Sequence, residues 1–229
     1  MTSDDTALTL LVARHLADRD GDGDPGAFLA DLADQAPAIK GLGPTTTAAI
    51  EQFRGRSGPA AAPAKATNGA AMRAMPIGWV LPHNQAERRW QVTIAMSRVT
   101  HADPAALVAA CVIAACASWA LEGASPSMLL AAAAEEAREA AQAVTTEPRL
   151  AEMLAQVSAG TWEPPANGIS PYPYETVAAV LWCATRATSL RSGLVSAVQL
   201  DDTGERTIIA VDSGAVVFPA PTRAGSQVS

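Results

Sequence analysis

Three short stretches of this sequence combine residues able to do chemistry. Ser3-Asp4-Asp5-Thr6 sets two adjacent carboxylates between two hydroxyls. At a helix start such carboxylates offer hard oxygen ligands in two directions, and a neighbouring hydroxyl completes one edge of an octahedral magnesium site. The same four residues are also an ordinary N-cap pattern. Thr67-Asn68-Gly69-Ala70-Ala71-Met72-Arg73 joins an Asn-Gly turn to a run of small residues. That composition lets a ligand approach the backbone closely, and the N–H groups of a following helix start suit a phosphate. A turn followed by a short helix is the plainer reading of those residues. In Thr100-His101-Ala102-Asp103 the imidazole stands just before a helix start. There it is placed either to touch a ligand or to act as a polar surface residue.

The elements that must position these groups read as helices. Apolar residues Leu8, Leu11, Val12 and Leu16 recur at helical spacing over Asp4 to Asp18, with Asp4 and Asp5 at the start, where carboxylates satisfy free N–H groups and favour the dipole. Asp20-Gly-Asp-Gly-Asp24 is a turn, and a second helix runs from Pro25 to Gln35. Thr45 to Phe53 follows as a third helix, after the break Gly41-Leu-Gly-Pro44, and Gly55 to Ala66 reads as a loop. Asn68-Gly69 leads into a short helix that Pro76 and Gly78 stop. Asn84 to Thr100 is amphipathic. Asp103-Pro104 and Ser125-Pro126 are cap-plus-proline start signals for two further helices, the first apolar nearly all round. Glu147-Pro148 opens a helix through Val157, and Glu175 to Thr188 is another. Thr207 to Val211 is compatible with a strand and Gly214 to Phe218 with a second, making a short hairpin; Pro219 to Ser229 reads as a frayed, disordered tail.

Composition narrows the classes. The chain has 229 residues, 49% of them hydrophobic and only 4% aromatic, and alanine is abundant. That is globular and helix-leaning. A net charge of −7 disfavours nucleic acid and anionic membranes as partners. It leaves room for a nucleotide-like ligand whose phosphates are held by backbone N–H groups or a metal. Cys111, Cys116 and Cys183 lie in apolar helical stretches without a Cys-x-x-Cys pair, so they read as buried, reduced thiols. The most apolar stretch, Ala105 to Leu121, reads as a core helix and not a membrane span, and an acidic start without a basic region predicts a cytoplasmic location. Asp20-x-Asp22-x-Asp24 fails as a calcium loop, because Pro25 stands where a glycine is required. Glu135, Glu136, Arg138 and Glu139 read as a solvated helix face.

Taken in order, Ser3-Asp-Asp-Thr6, Gly41-Leu-Gly-Pro-Thr45, Asn68-Gly-Ala-Ala-Met-Arg-Ala-Met-Pro-Ile-Gly78 and Thr100-His101 resemble the ADP-ribosylglycohydrolases, including the dinitrogenase reductase-activating type. That family shows (S/T)DDT, a Gly-x-Gly plus Thr element, GNG(S/A)AMR-x-x-PIG, a Thr-His pair and a final GDTDT or GDRDT. The resemblance spans roughly residues 3 to 217. It implies a single all-α domain over residues 1–218, an orthogonal multi-helix bundle, monomeric, with a dinuclear magnesium (Mg2+) centre. It further implies hydrolysis of the bond between ADP-ribose and a modified protein side chain or small ADP-ribosyl conjugate. By matching motif, Ser3, Asp4 and Asp5 are expected as metal ligands, with Asp5 also catalytic. Asn68, Gly69, Ala70 and Met72 are expected in the ligand-phosphate loop, and His101 beside the adenosine.

Two departures accompany the resemblance. The family pattern places a helix rich in small residues before the Asp-Asp segment, whereas this sequence opens almost at that segment. Its final metal motif aligns best with Gly204-Glu205-Arg206-Thr207, making Glu205 and Thr207 the matching metal ligands, with one aspartate changed to glutamate and the other deleted. Loss of anionic ligands weakens metal affinity and leaves the remaining carboxylates repelling one another. A catalytically impaired paralogue that binds ADP-ribose-like ligands, or only keeps the fold, is therefore the alternative expectation.

Overall fold

Helix starts follow the predicted capping signals closely. In the computed structural model, which describes residues 3–55 and 64–200, α1 spans Asp4–Ala17 and α2 spans Pro25–Gln35. The cap of α1 is Ser3, whose hydroxyl accepts from the Thr6 N–H; Asp4 and Asp5 occupy the first turn instead of capping it. Asp24 caps α2 through the N–H groups of Gly26 and Ala27. Helix α3 (Pro44–Arg54) starts at its proline, whose missing N–H costs nothing in a first turn.

The Asn-Gly segment departs from the sequence expectation. Asn68–Arg73 forms a 3-10 helix, and a separate short helix α4 covers Met75–Val80. Pro76 therefore opens a helix instead of ending one, and Gly78 lies inside it. The reason for Gly78 is tertiary: a Cβ there would sit 1.9 Å from the carbonyl oxygen of Ala114, so α4 crosses the central helix almost backbone to backbone.

That central helix is α6 (Pro104–Leu121), capped by Asp103 and buried on nearly every side. Its length and apolarity would suffice to cross a membrane, but here it is the hub of the core. Around it pack the 3-10 segment, α4, α5 (Ala86–Arg98), α7 (Pro126–Ala143) and α9 (Pro173–Arg186). Helix α1 lies on α4 and the 3-10 segment, while α8 (Arg149–Ala159) bridges α7 and α9. Helix α10 (Leu190–Gln199) packs on α9. The described residues are all-helical, with no strand. The expected hairpin over 207–218, the tail 219–229 and both Glu205 and Thr207 lie outside the described residues.

Candidate functional site

The first acidic pair stands at the N-terminal end of α1. Ser3 Oγ accepts from the Thr6 N–H at 3.3 Å and lies 3.2 Å from Thr6 Oγ1. Asp5 is buried and Asp4 half-buried. Gly41 adopts φ +82°, and a Cβ built on it would lie 3.9 Å from Asp4 Oδ1, so the chain at Gly41 passes close to Asp4. Further along α1, the Thr9 hydroxyl donates to the Met72 carbonyl at 3.2 Å, tying this helix to the Asn-Gly segment.

From Thr45 a line of hydrogen bonds runs into the core. Thr45 Oγ1 is 3.2 Å from Thr67 Oγ1, and Thr67 Oγ1 is 3.1 Å from His101 Nε2. On its other side His101 Nδ1 is 2.8 Å from Thr100 Oγ1, which accepts from Arg73 Nη2 at 2.7 Å. Arg73 Nη2 also donates to the Met96 carbonyl at 3.2 Å, and the guanidinium carbon stands 5.2 Å from the Phe28 ring centre. His101 is not the surface residue that its loop position suggested: it is 1% exposed. Gly69 makes room for it, because a Cβ on Gly69 would come 2.7 Å from His101 Nε2.

Burial pulls the His101 pKa down to about 3, helped by the charge of Arg73, so the ring is neutral across the physiological range. Burial also lowers Arg73, to about 10, which leaves it cationic at neutral pH. Among the described residues Arg73 has no carboxylate partner, and its Nη1 has no hydrogen-bond partner.

The Asn-Gly loop is braced from the far side. Asn68 Nδ2 donates to Thr176 Oγ1 on α9 at 3.1 Å, and the Asn68 N–H donates to the Pro171 carbonyl at 3.0 Å. The Asn68 amide is thus occupied in holding the loop. Ala70 and Met72 are buried, their side chains in the core. The structure therefore gathers Ser3, Asp4, Asp5, Asn68, Gly69 and His101 around one end of the bundle, with Ala70 and Met72 behind them. Thr45, Thr67, Arg73 and Thr176 belong to the same cluster and were not singled out as site residues. Arg73 had a legible signal, one cation inside the otherwise apolar run from Ala70 to Gly78. Thr176 had none, because only the packing of α9 brings it to Asn68.

For a divalent cation, the oxygens of Ser3, Asp4 and Asp5 are the hard donors magnesium takes, so the chemistry of this half fits. No group of three or more His, Cys, Asp or Glu side chains able to hold a metal occurs among the described residues. The opposite half, expected at Glu205 and Thr207, falls outside them.

The comparisons with known proteins agree with one another. A family model described as ADP-ribosylglycohydrolase matches residues 1–210. An uncharacterized protein of Escherichia coli (strain K12), YegU, is 32% identical over 146 residues, covering 61% of this chain and 44% of its own length. The chain thus spans under half the length of that curated relative. A solved structure described as an ADP-ribosylglycohydrolase-related protein complex superposes with a TM-score of 0.74 at 26% identity, covering 97% of this chain and 74% of its own.

Proposed function

This chain belongs to the ADP-ribosylglycohydrolase family, and from that premise we propose that it removes ADP-ribose from a modified protein side chain or a related small conjugate, with magnesium. The observation carrying this reading is the approach of Gly41 to Asp4, four residues before Thr45, whose hydroxyl leads through Thr67 to His101. Four sequence motifs far apart in the chain have no reason to converge on a shared polar cluster for packing alone.

In this reading Ser3, Asp4 and Asp5, together with Glu205 and Thr207, would hold the magnesium. Bound there, the metal would orient the ribose hydroxyls and sharpen a water nucleophile. Asp5, which is buried, would manage the proton. Gly69 and its neighbours give the phosphates a close approach to the backbone. His101 is neutral and therefore lines and orients; it does not protonate a leaving group.

A second reading has a specific observation behind it. Asp201-Asp-Thr-Gly-Glu-Arg-Thr207 lacks the alternating spacing that sets two carboxylates on one side of a strand or loop. On that ground the chain is a paralogue that binds ADP-ribose without turning it over. One assay separates the two. With saturating magnesium, the protein should release free ADP-ribose from ADP-ribosylated protein, and the combined Asp4→Ala and Asp5→Ala variant should lose more than roughly a hundredfold, beyond the loss typical of groups that merely orient a metal ligand. Calorimetric binding of ADP-ribose with no release across several linkages favours the second reading, and neither binding nor release leaves only the fold.

A further inference from the structure

Two hydroxyls at the far end of the chain of hydrogen bonds from Arg73, those of Thr45 and Thr67, share one hydrogen bond, and what they can offer a ligand depends on which His101 nitrogen carries the proton. We infer that Arg73 is a positioning residue: from inside the core it sets the direction of the hydrogen bonds through Thr100 and His101, so that the Thr67–Thr45 pair keeps one O–H donor for an anionic oxygen of the ligand. This deepens the proposed ADP-ribose reading and rests on it for the identity of the ligand.

The argument is a count of protons. Arg73 Nη2 carries two hydrogens, and the Met96 carbonyl and Thr100 Oγ1 take both. An arginine cannot accept, so Thr100 Oγ1 must. The single proton of Thr100 then goes to His101 Nδ1 at 2.8 Å in preference to the Ser97 carbonyl at 3.5 Å. His101 Nδ1 is thereby the acceptor, and its neutral ring must carry its hydrogen on Nε2. That hydrogen is donated to Thr67 Oγ1 at 3.1 Å. Two protons remain on the Thr67 and Thr45 hydroxyls, and the 3.2 Å bond between them uses one. The other is free to point at a ligand acceptor.

In the opposite tautomer the count closes. His101 Nε2 would accept from Thr67, Thr67 would accept from Thr45, and no proton would be left. Thr100 would then have to accept from both Arg73 and His101 and donate only across the longer gap to Ser97. The spare donor exists because a buried guanidinium, uncompensated by any described carboxylate, stands three hydrogen bonds further in. The same positive charge makes an acceptor-only, anionic oxygen such as that of a phosphate the matching ligand group.

The test uses the full chain labelled with 15N-histidine. Two-bond 1H–15N correlation spectra distinguish the tautomers, and His101→Gln assigns the signal among the three histidines. His101 should show hydrogen on Nε2; Thr100→Val should raise the Nδ1–H population and Thr100→Ser should restore the parent pattern. Arg73→Met should act like Thr100→Val. If it fails to fold, Thr100→Val decides, since it removes one hydroxyl only. Titration with pyrophosphate and with ADP-ribose should show Thr100→Val weakening both by about 10- to 100-fold. Hydrogen on Nδ1 in the parent, or a tautomer indifferent to Thr100→Val, overturns the inference. So does undiminished pyrophosphate affinity in Thr100→Val, which would leave the glycohydrolase reading standing. If the tautomer behaves as inferred and the parent binds neither probe, the anion assignment falls together with the ADP-ribose reading.

Discussion

Two arginines are buried among the described residues, Arg73 and Arg89, and their surroundings could hardly differ more. Arg89 on α5 donates to Glu136 Oε2 of α7 at 2.8 Å and to the carbonyls of Pro82 and His83, while Trp90 Nε1 donates to the other carboxylate oxygen. Burial raises the Glu136 pKa in spite of Arg89 and Trp90, and the adjacent Cys111 and Cys116 thiols are pushed up by the same burial and by Glu136, so they stay protonated. Arg73, by contrast, has hydroxyl, carbonyl and aromatic partners and no described carboxylate. A buried pair spends its charges on each other and leaves no field for anything else. A buried cation held by dipoles keeps its field, and here that field reaches the motif residues. The Arg89 region is a bolt between helices; the Arg73 region is where a buried cation, without a described carboxylate partner, stands next to the motif cluster.

The comparison breaks most visibly through Glu136. Glu136→Ala should destabilise the fold by about 3–5 kcal/mol, because it strands the Arg89 charge in the core; urea denaturation would measure this, and a cost near zero would mean the pair is not closed. The next effect is electrostatic. His101 has a folded pKa near 3 against 6.5 for the free side chain, so the folded state binds fewer protons in between. Its contribution is present above pH 6.5 and is lost as pH falls towards 3, with a limiting slope of about 1.4 kcal/mol per pH unit. Glu136 works in the opposite sense: its raised pKa makes its contribution shrink as pH rises out of the carboxylate range. The difference between parent and His101→Gln isolates the histidine, and equal slopes in the two would remove the depressed pKa. The smallest effect sharpens the contrast. Replacing both members of the bolt, Arg89→Met with Glu136→Leu, should leave stability within about 1 kcal/mol of the parent, since the desolvation cost disappears along with the attraction. ADP-ribose binding should be untouched by that double change.

Much of the scaffold was legible. Asp103 and Ser125 cap the helices their prolines announced, because caps and first-turn prolines act locally. The fully apolar stretch became the central helix for the same reason that it resembled a membrane span: it has no polar face to give to water. Glu136 was misread. Its charged neighbours suggested a solvated face, whereas it is the one member of that group that points at Arg89. The stop assigned to Pro76 and Gly78 also failed, since the close crossing at Ala114 selects that glycine, and no neighbour in sequence does.

By itself the sequence determined the helical class, most helix starts and the order of the motif segments, since these depend on backbone and side-chain preferences within a few residues of one another. Only the tertiary structure decided that His101 is buried, that Arg73 has no carboxylate partner among the described residues while Arg89 has one, and that Thr45 and Thr67 meet. Those outcomes depend on which helices share a face across long stretches of chain, and burial, not composition, sets what a charge is worth there.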